Sequence, residues 1–365
     1  MHIAIDARII NSGSGTYIVK LLEHLQQIDT TNYYSVLLRS KDLSYWKPAA
    51  ANFHVVIADF ENFSFAEQLG LKALLDRLSP DLVHFCMPQQ PVLYQGKHVT
   101  TMHDMTLLNT YNSDKNWFVF HFKQFIGKFV WKHIGKTSDF VIAISQNTKR
   151  EYQKFYPIPD SKIPVIYESG EVLKNKKLVP YPVPFDRFIM YVGQQPDYKN
   201  LRRLAEAHQK LLVDHPGLGL VFVGRMNDDT VYNKALYEKR GYKHIHFTGF
   251  IEDPQRDWLF TKAEAYVFPS LMEGFGLPPL EAMAYGTPVV SSQASCMPEI
   301  LGEAAEYFDP LDIDDMVRAI NRVLSDKTLR QQMIKKGYNQ VAKYSWRRMA
   351  EETHAVYMKA LEKSN

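Results

Sequence analysis

The chain has 365 residues, more than one ordinary hydrophobic core supports, so we expect two domains. Its 45% hydrophobic and 23% charged residues are typical of a globular protein, and a net charge of +3 neither requires nor excludes nucleic acid as a partner. The two cysteines, Cys86 and Cys296, lack a C-x-x-C partner or a histidine cluster, which argues against a metal site and a disulfide framework.

The N-terminal sequence does not resemble a secretory signal, because residues 2–6 have the pattern of a buried strand. No uninterrupted apolar run reaches the roughly 20 residues that span a bilayer. We therefore expect a cytoplasmic protein that can meet a membrane only from its surface.

The first half of the chain alternates predicted strands with predicted helices. The strand at 2–6 leads through a glycine turn into a helix from Tyr17 to Gln27, and a second helix is predicted from Phe65 to Leu78. Further strands are predicted at 33–38, 53–57, 82–85, 98–102 and 139–144. This alternation predicts a parallel sheet with helices on both faces, in which ligands bind at the carboxyl ends of strands.

Two short polar segments follow strands in this half. The turn Gly13-Ser14-Gly15 precedes the first helix, but the dinucleotide fingerprint G-x-G-x-x-G is incomplete because position 18 is Ile. An ordinary β–α turn is the alternative. His103 and Asp104 follow the strand that ends at Met102, and this position favours a functional role over the structural one that a lone histidine more often has.

Residues 115–136 predict a basic aromatic helix without acidic residues. Its phenylalanines on one face are Phe118, Phe122, Phe125 and Phe129, its tryptophans are Trp117 and Trp131, and its lysines are Lys115, Lys123, Lys128, Lys132 and Lys136. Such a helix is typical of a membrane interface. The alternative is a core helix that covers the sheet and leaves its lysines in solvent, and one helix can do both.

The second half repeats the opening pattern. A strand at 188–192 leads through a loop containing Lys199 into an amphipathic helix from Leu201 to Leu212, and Arg225 follows the next strand. Later helices are predicted at 312–325, 327–342 and 346–361. We reject a metal site at Asn227-Asp228-Asp229, because we place these residues in a loop that faces no other acids.

The stretch Pro269–Glu281 has the most specific pattern. It joins a predicted strand at 265–268 to a helix predicted to start at Pro279, with Glu273 before a glycine turn and Glu281 in the first helical turn. Backbone N–H groups at such a turn bind anions, and flanking carboxylates accept hydrogen bonds from hydroxyls. Phosphate and diol sites together describe a sugar nucleotide. The alternative is a tight turn with a solvated acid and an acid that favours the helix dipole.

The sequence resembles the retaining glycosyltransferases of the GT-B fold, family 4, and within them the bacterial mannosyltransferases that build polysaccharides. The resemblance rests on Glu273 and Glu281, which enclose seven residues, and on the A-M-A-Y-G-T-P-V-V that follows. Further matching motifs are F-T-G-F-I at 247–251, Y-V-F-P-S at 266–270, P-E-I at 298–300, D-P-L-D at 309–312 and S-W at 345–346. The second half matches almost throughout, and the first half matches at a few points.

This resemblance implies an α/β protein with two doubly wound Rossmann-like domains that face each other across a cleft. Residues 1–170 would bind the acceptor, residues 171–345 would bind the donor, and a helix at 346–365 would cross back to the first domain. The family usually has Asn-Gly near the turn between its domains, whereas this chain has Glu168-Ser169-Gly170 there.

The resemblance also implies roles for individual residues. His103 and Glu273 would lie at the reacting sugar, Lys199 would hold the diphosphate, and Asp104 would orient the histidine ring or bind the acceptor. An arginine that often stands beside the lysine is replaced by Tyr198, and we suggest that Arg225 supplies part of the missing charge. The residues implied to contact the donor are Gly13, Ser14, Gly15, Arg225, Thr248, Gly249, Phe250, Gly274, Phe275, Gly276, Leu277 and Glu281.

The implied reaction is the transfer of a hexose, with mannose from GDP-mannose expected, to a hydroxyl of a glycan or glycolipid. It would retain the anomeric configuration and use no metal or other cofactor, with the departing phosphate assisting deprotonation of the acceptor. Nucleic acid is not an expected partner. Two alternatives stay open: a nucleotide-sugar epimerase of the same architecture, and a non-catalytic scaffold that binds nucleotide sugars.

Overall fold

A computed structural model of the protein describes residues 1–62, 64–109, 117–170 and 177–362. The described residues form two compact units. One unit contains the chain up to Glu168 together with the residues from Ser345 onward, and the other contains the residues from Ser169 to Tyr344. Each unit is built on a six-stranded sheet.

The sheet of the first unit is parallel and has the strand order β3-β2-β1-β4-β5-β6. Its strands are β1 (His2–Asp6), β2 (Tyr33–Leu38), β3 (Phe53–Ile57), β4 (Leu82–Phe85), β5 (His98–Met102) and β6 (Phe140–Ala143). The order reverses between β1 and β4, and the crevice at such a reversal is the usual ligand site of a doubly wound sheet. The predicted alternation of strands and helices is therefore confirmed.

Helices cover this sheet. They are α1 (Gly15–Ile28), α2 (Lys72–Leu78), α3 (Thr106–Asn109), α4 (Trp117–Thr137) and α5 (Gln146–Phe155). The helix predicted from Phe65 to Leu78 is not regular, because Glu67–Leu71 is π-helical. There the buried Glu67 carboxylate accepts hydrogen bonds from Arg8 Nη2 at 2.9 Å and from Gln89 Nε2 at 2.9 and 3.0 Å.

Helix α4 is buried on one side and exposed on the other. Trp131 and Ile134 are buried, whereas Phe125 and Phe129 are exposed. Lys115 and the side chains of Trp117, Phe118, Phe122 and Lys123 lie outside the described residues. Within the described part of the chain, no helix combines the length and apolarity that crossing a bilayer would need.

The second unit has its own parallel sheet, in the order β12-β11-β10-β7-β8-β9. The strands are β7 (Phe188–Val192), β8 (Gly219–Val223), β9 (Ile245–Phe247), β10 (Ala265–Phe268), β11 (Val289–Ser292) and β12 (Ala305–Phe308). The helices are α6 (Leu201–Leu211), α7 (Asp228–Lys239), α8 (Asp253–Lys262), α9 (Leu277–Ala284), α10 (Met297–Leu301), α11 (Ile313–Ser325) and α12 (Lys327–Val341).

Two details of this unit differ from the prediction. Asn227 is the N-cap of α7, its side chain accepting from Thr230 N at 3.0 Å, so Asp228 and Asp229 lie in a first helical turn rather than in a loop. Helix α9 starts at Leu277, two residues before the predicted start at Pro279. Glu281 therefore lies beyond the first turn of α9.

The last helix, α13 (Trp346–Glu362), belongs to the first unit and packs along α1. Tyr357 of α13 is fully buried and its hydroxyl lies 2.6 Å from His84 Nδ1 on β4. Two further contacts fix the helix: His354 Nε2 lies 2.9 Å from Asp29 Oδ2, and Lys97 Nζ donates to the Ala360 carbonyl at 2.8 Å.

Candidate active site

Two of the predicted site residues of the second unit form an ion pair. Lys199 ends a short 3-10 helix after β7, and Glu273 lies in the loop after β10. Lys199 Nζ is 2.6 Å from Glu273 Oε1, and the two side chains are only 17% and 12% exposed. Asn200 holds the two loops together, because its side-chain amide donates to the Pro269 carbonyl at 3.1 Å. The ends of two parallel strands thus present one paired cation and anion.

The ion pair keeps Lys199 charged. Burial lowers the pKa of Lys199, but the charge and hydrogen bond of Glu273 outweigh burial, so the pKa lies well above its ordinary value. The backbone of Glu273 is fixed from the neighbouring loop: Ser295 Oγ accepts from Glu273 N at 3.2 Å and donates to Glu273 O at 2.7 Å. Ser295 was not predicted as a site residue. Its backbone is left-handed, with a φ of +58°, and no motif in the sequence marks this conformation.

The glycine turn after Glu273 leads directly into α9. Gly276 has a φ of +92°, and a Cβ there would lie 2.6 Å from Met297 Cε, so only glycine fits without a shift. Phe275 is buried, with its ring edge-on to Tyr344 at 5.5 Å between centroids, and Gly274 is also buried. Leu277 is the first residue of α9. The turn therefore offers backbone groups, while the Phe275 side chain packs in the core.

Glu281 of α9 is half-buried near Arg256 of α8. Burial lowers the pKa of Arg256, and the carboxylates of Glu281, Asp253 and Asp257 more than offset this and raise it. Arg256 also donates to Asp257 Oδ1 at 2.8 Å. The alternative of Glu281 as a first-turn acid that favours the helix dipole therefore does not fit, because Glu281 lies beyond the first turn and beside Arg256.

Arg225 follows β8. Its guanidinium lies 5.4 Å from the centre of the exposed Phe250 ring. Thr248 N donates to Phe222 O at 3.0 Å, and Gly249 has a φ of +69°. Gly224 has a φ of +155°, and a Cβ there would lie 2.5 Å from the Gly193 carbonyl oxygen. The chain thus leaves β7 and β8 with the two backbones in close approach.

In the first unit, the predicted glycine turn starts α1. Gly15 is the first residue of α1 and is buried, and Gly15 N donates to Ser12 O at 2.9 Å. Gly13 is exposed, and a Cβ added there would meet no atom within 4 Å. Ser14 N donates to Ser12 Oγ at 3.3 Å. The space above Gly13 is open at the carboxyl end of β1, where a ligand can approach.

His103 lies just after β5 and is held by residues other than Asp104. Its Nε2 is 2.8 Å from the Cys86 carbonyl oxygen, and its Nδ1 is 3.4 Å from Glu168 Oε1. Asp104 Oδ1 instead accepts from Thr106 N at 2.8 Å. Asp104 was expected to orient the ring or bind the acceptor, but the carboxylate near the ring nitrogen Nδ1 is that of Glu168. In the sequence, only the replacement of the family's Asn-Gly by Glu168-Ser169-Gly170 pointed to Glu168.

Among the described residues, no group of three or more His, Cys, Asp or Glu side chains could hold a metal ion. Lys199 and the backbone N–H groups of the 274–276 turn are positive groups that can face a diphosphate. Glu273 and Glu281 are acceptors suited to hydroxyl groups. The arrangement can therefore bind a phosphate flanked by two polyhydroxyl groups.

Comparison with known proteins identifies the family. The family model described as "Glycosyltransferase Family 4" matches residues 11–168, and the one described as "Glycosyl transferases group 1" matches residues 183–340. The chain is 31% identical over 182 residues to O-antigen chain mannosyltransferase B of Escherichia coli. The aligned region covers 48% of this chain and 47% of that protein. It is 26% identical to the serotype-specific mannosyltransferase WbdA of Escherichia coli, over 93% of this chain and 45% of that protein.

The chain spans about half the length of these curated relatives. Among solved structures, Anabaena Alr3699/HepE in complex with UDP-glucose has a TM-score of 0.75 at 15% identity, covering 98% of this chain and 100% of that one. That likeness supports the fold alone. The two family matches take in most of the chain and agree with its two parallel sheets, so the chain belongs to the family 4 glycosyltransferases of the GT-B fold.

Proposed function

We propose that the protein transfers a hexose, mannose from GDP-mannose, to a hydroxyl of a glycan or glycolipid, with retention of configuration and without a metal. The observation that carries this proposal is the Lys199–Glu273 ion pair beside the 274–276 turn. A partly buried cation and anion at the ends of two strands suit a ligand that has both a diphosphate and a sugar.

Each group has a separate task in this proposal. The ammonium of Lys199 and the amides of the 274–276 turn stabilise the negative charge that develops on the leaving diphosphate. Glu273 accepts hydrogen bonds from hydroxyls of the donor sugar, and Glu281 accepts them from the ribose. Arg225 and the ring of Phe250 extend the donor site on the side of β8. The resemblance implies further roles for His103 and the 13–15 turn, which belong to the first unit.

The relatives support the choice of sugar. Two of the curated proteins that the chain resembles are named as mannosyltransferases, and one solved structure of similar fold contains UDP-glucose. A nucleotide sugar as donor fits both observations. Phosphate and ribose contacts are common to GDP, UDP and ADP sugars, so the base must be identified by direct binding.

We expect GDP or GDP-mannose to raise the melting temperature by several degrees in a thermal-shift screen of nucleotides and nucleotide sugars. A ligand present at about 100 times its Kd adds about 2.7 kcal/mol to the stability of the folded state. The protein is then mixed with donor and acceptor to measure nucleotide release. No shift with any nucleotide contradicts the proposed function.

The outcome also separates the alternatives. Release of nucleotide together with inversion at the second carbon of the sugar indicates the epimerase. Binding without release, for every donor and acceptor tested, indicates the scaffold. Transfer to a glycan or lipid-linked acceptor supports the proposed function.

We also propose that α4 brings the protein to the surface of an anionic membrane, where a glycolipid acceptor would lie. Phe125 is 70% and Phe129 is 60% exposed, and the exposed Lys128, Lys132 and Lys136 lie on the same helix. Exposed aromatic rings with lysines around them fit an interface of acyl chains and anionic headgroups, where each lysine contributes about 1 kcal/mol.

The protein is expected to sediment with vesicles containing phosphatidylserine, and less so as salt rises. The double variant F125S/F129S should lose most of this binding. A matched control is Val213→Ser, because Val213 is 83% exposed but lies in the other unit. Sedimentation that is absent at low salt, or unchanged in F125S/F129S, favours the core-helix interpretation.

A further inference from the structure

Both ring nitrogens of His103 face hydrogen-bond acceptors. Nε2 is 2.8 Å from the Cys86 carbonyl oxygen, and Nδ1 is 3.4 Å from Glu168 Oε1. A carbonyl oxygen and a carboxylate oxygen are acceptors, so an N–H on each ring nitrogen suits both contacts. A neutral imidazole has one N–H and can satisfy only one of these contacts, whereas an imidazolium satisfies both.

The groups around His103 agree with a positive charge on the ring. Glu168 is buried, with 6% of its side chain exposed, and Asp104 is the next residue in the chain. Burial and the charge of His103 lower the pKa of His84 on β4 to about 3, so His84 is neutral at physiological pH. The ring of Tyr17 on α1 lies edge-on to the His103 ring, with 5.0 Å between their centroids. Burial raises the pKa of Tyr17 and also the pKa of the Cys86 thiol.

Burial alone would lower the pKa of His103. The hydrogen bond and the charge of Glu168 more than offset it, and smaller contributions come from the Cys86 carbonyl and Asp104, so the pKa lies above its ordinary value of 6.5. The pair is partly shielded from water, because the His103 side chain is 13% exposed.

We propose that Glu168 is a positioning residue that holds His103 as a fixed imidazolium, so that the first unit supplies a positive charge at the carboxyl end of β5 and not a general base. This inference rests on the proposed function, in which His103 lies at the reacting sugar. With both nitrogens engaged, the ring has no lone pair with which to accept a proton from the acceptor hydroxyl.

The consequence for the reaction is a division of tasks. The bond between the sugar and the diphosphate breaks, the bond between the sugar and the acceptor oxygen forms, and the acceptor proton passes to the leaving diphosphate. His103 supplies positive charge from the first unit and keeps its own two protons throughout.

The first test needs no substrate. The titration of His103 is followed by NMR of the ring C–H signals, with the His103→Gln variant used to assign the resonance. We expect the wild-type protein to titrate above 6.5 and the Glu168→Gln variant to titrate at least one pH unit lower. Glu151→Gln is the matched control, because Glu151 is a partly exposed acid of the first unit that pairs with Lys154, and it should leave the titration unchanged.

The second test is the pH profile of kcat. Activity that needs the imidazolium is present below the raised pKa and is lost as pH rises through it. Glu168→Gln should move this loss to lower pH by at least one unit, and Glu168→Asp should restore part of the difference. A variant that merely weakens folding would change the melting temperature without changing the pH at which kcat is lost.

The possible outcomes separate this inference from the proposed function. An unchanged His103 titration in Glu168→Gln overturns the inference, whatever the activity. Activity that rises through the pKa of His103 also overturns it, because it identifies the neutral ring as a base. A shifted titration in a protein that transfers no sugar supports the charged ring and contradicts the proposed function instead.

Discussion

Glu273→Gln should lower kcat by about 10²–10³-fold, which is the loss found when one pre-organised electrostatic contact is removed from an active site. The amide has nearly the shape of the carboxylate, so it can still contact Lys199, but it cannot provide the negative charge that orients the sugar hydroxyls. We expect the melting temperature to change by only a few degrees, because the backbone of Glu273 is fixed by Ser295.

A double-mutant cycle with Lys199→Met tests whether the two residues act as a unit. Because the ammonium and carboxylate are only 2.6 Å apart, the double variant should be about as slow as the slower single variant. The control pair is Lys210 and Asp314, which are also 2.6 Å apart but are 48% and 81% exposed. Its variants should leave kcat and the donor KM unchanged.

Steady-state kinetics with saturating donor provides the measurement. Near-normal turnover of Glu273→Gln would remove Glu273 from the proposed site. Independent effects that multiply in the double variant would mean that the ion pair is not a functional unit.

Tyr357→Ala should reduce the free energy of unfolding of the first unit by about 3–5 kcal/mol, the usual cost of removing a large buried aromatic side chain. Tyr357 is fully buried on α13, and its hydroxyl lies 2.6 Å from His84 Nδ1. Tyr357→Phe keeps the ring but leaves the His84 nitrogen without this partner, and it should cost about 1–3 kcal/mol. Urea denaturation followed by circular dichroism measures both values.

Tyr45→Ala is the control for this change. Tyr45 belongs to the same unit but is 43% exposed, and its removal should cost less than about 1 kcal/mol. Equal losses for Tyr357→Ala and Tyr45→Ala would show that α13 contributes little to the stability of the first unit.

The parts of the fold that depend on local pattern could be predicted from the sequence. The strands expected at 33–38, 53–57 and 98–102 have the observed bounds, because each is an apolar run limited by polar or turn-forming residues. The sheets then follow from the alternation of strands and helices. The N-cap of α5 is equally local, because the Ser145 side chain accepts from Thr148 N at 3.0 Å.

Features set by contacts between distant residues could not be predicted. The π-helical stretch depends on Glu67 reaching Arg8, which lies 59 residues earlier. The start of α9 depends on the packing of Gly276 against Met297. The pairing of His103 with Glu168 joins a strand end to a later loop, and no spacing in the sequence marks it. At the site, the residue types and their positions after strands can be predicted from the sequence. The distances between their side chains can be obtained only from the structure.

The place of α13 has a consequence for how the protein is made. The first unit begins with the first residues of the chain, yet it includes the helix that follows the whole of the second unit. A growing chain folds in domains from its N-terminus as it leaves the ribosome. Here the side of α1 that packs along α13 cannot be covered until residues 346–362 have emerged. During translation the second unit can therefore fold before the first is complete, and chaperones have that interval in which to bind α1.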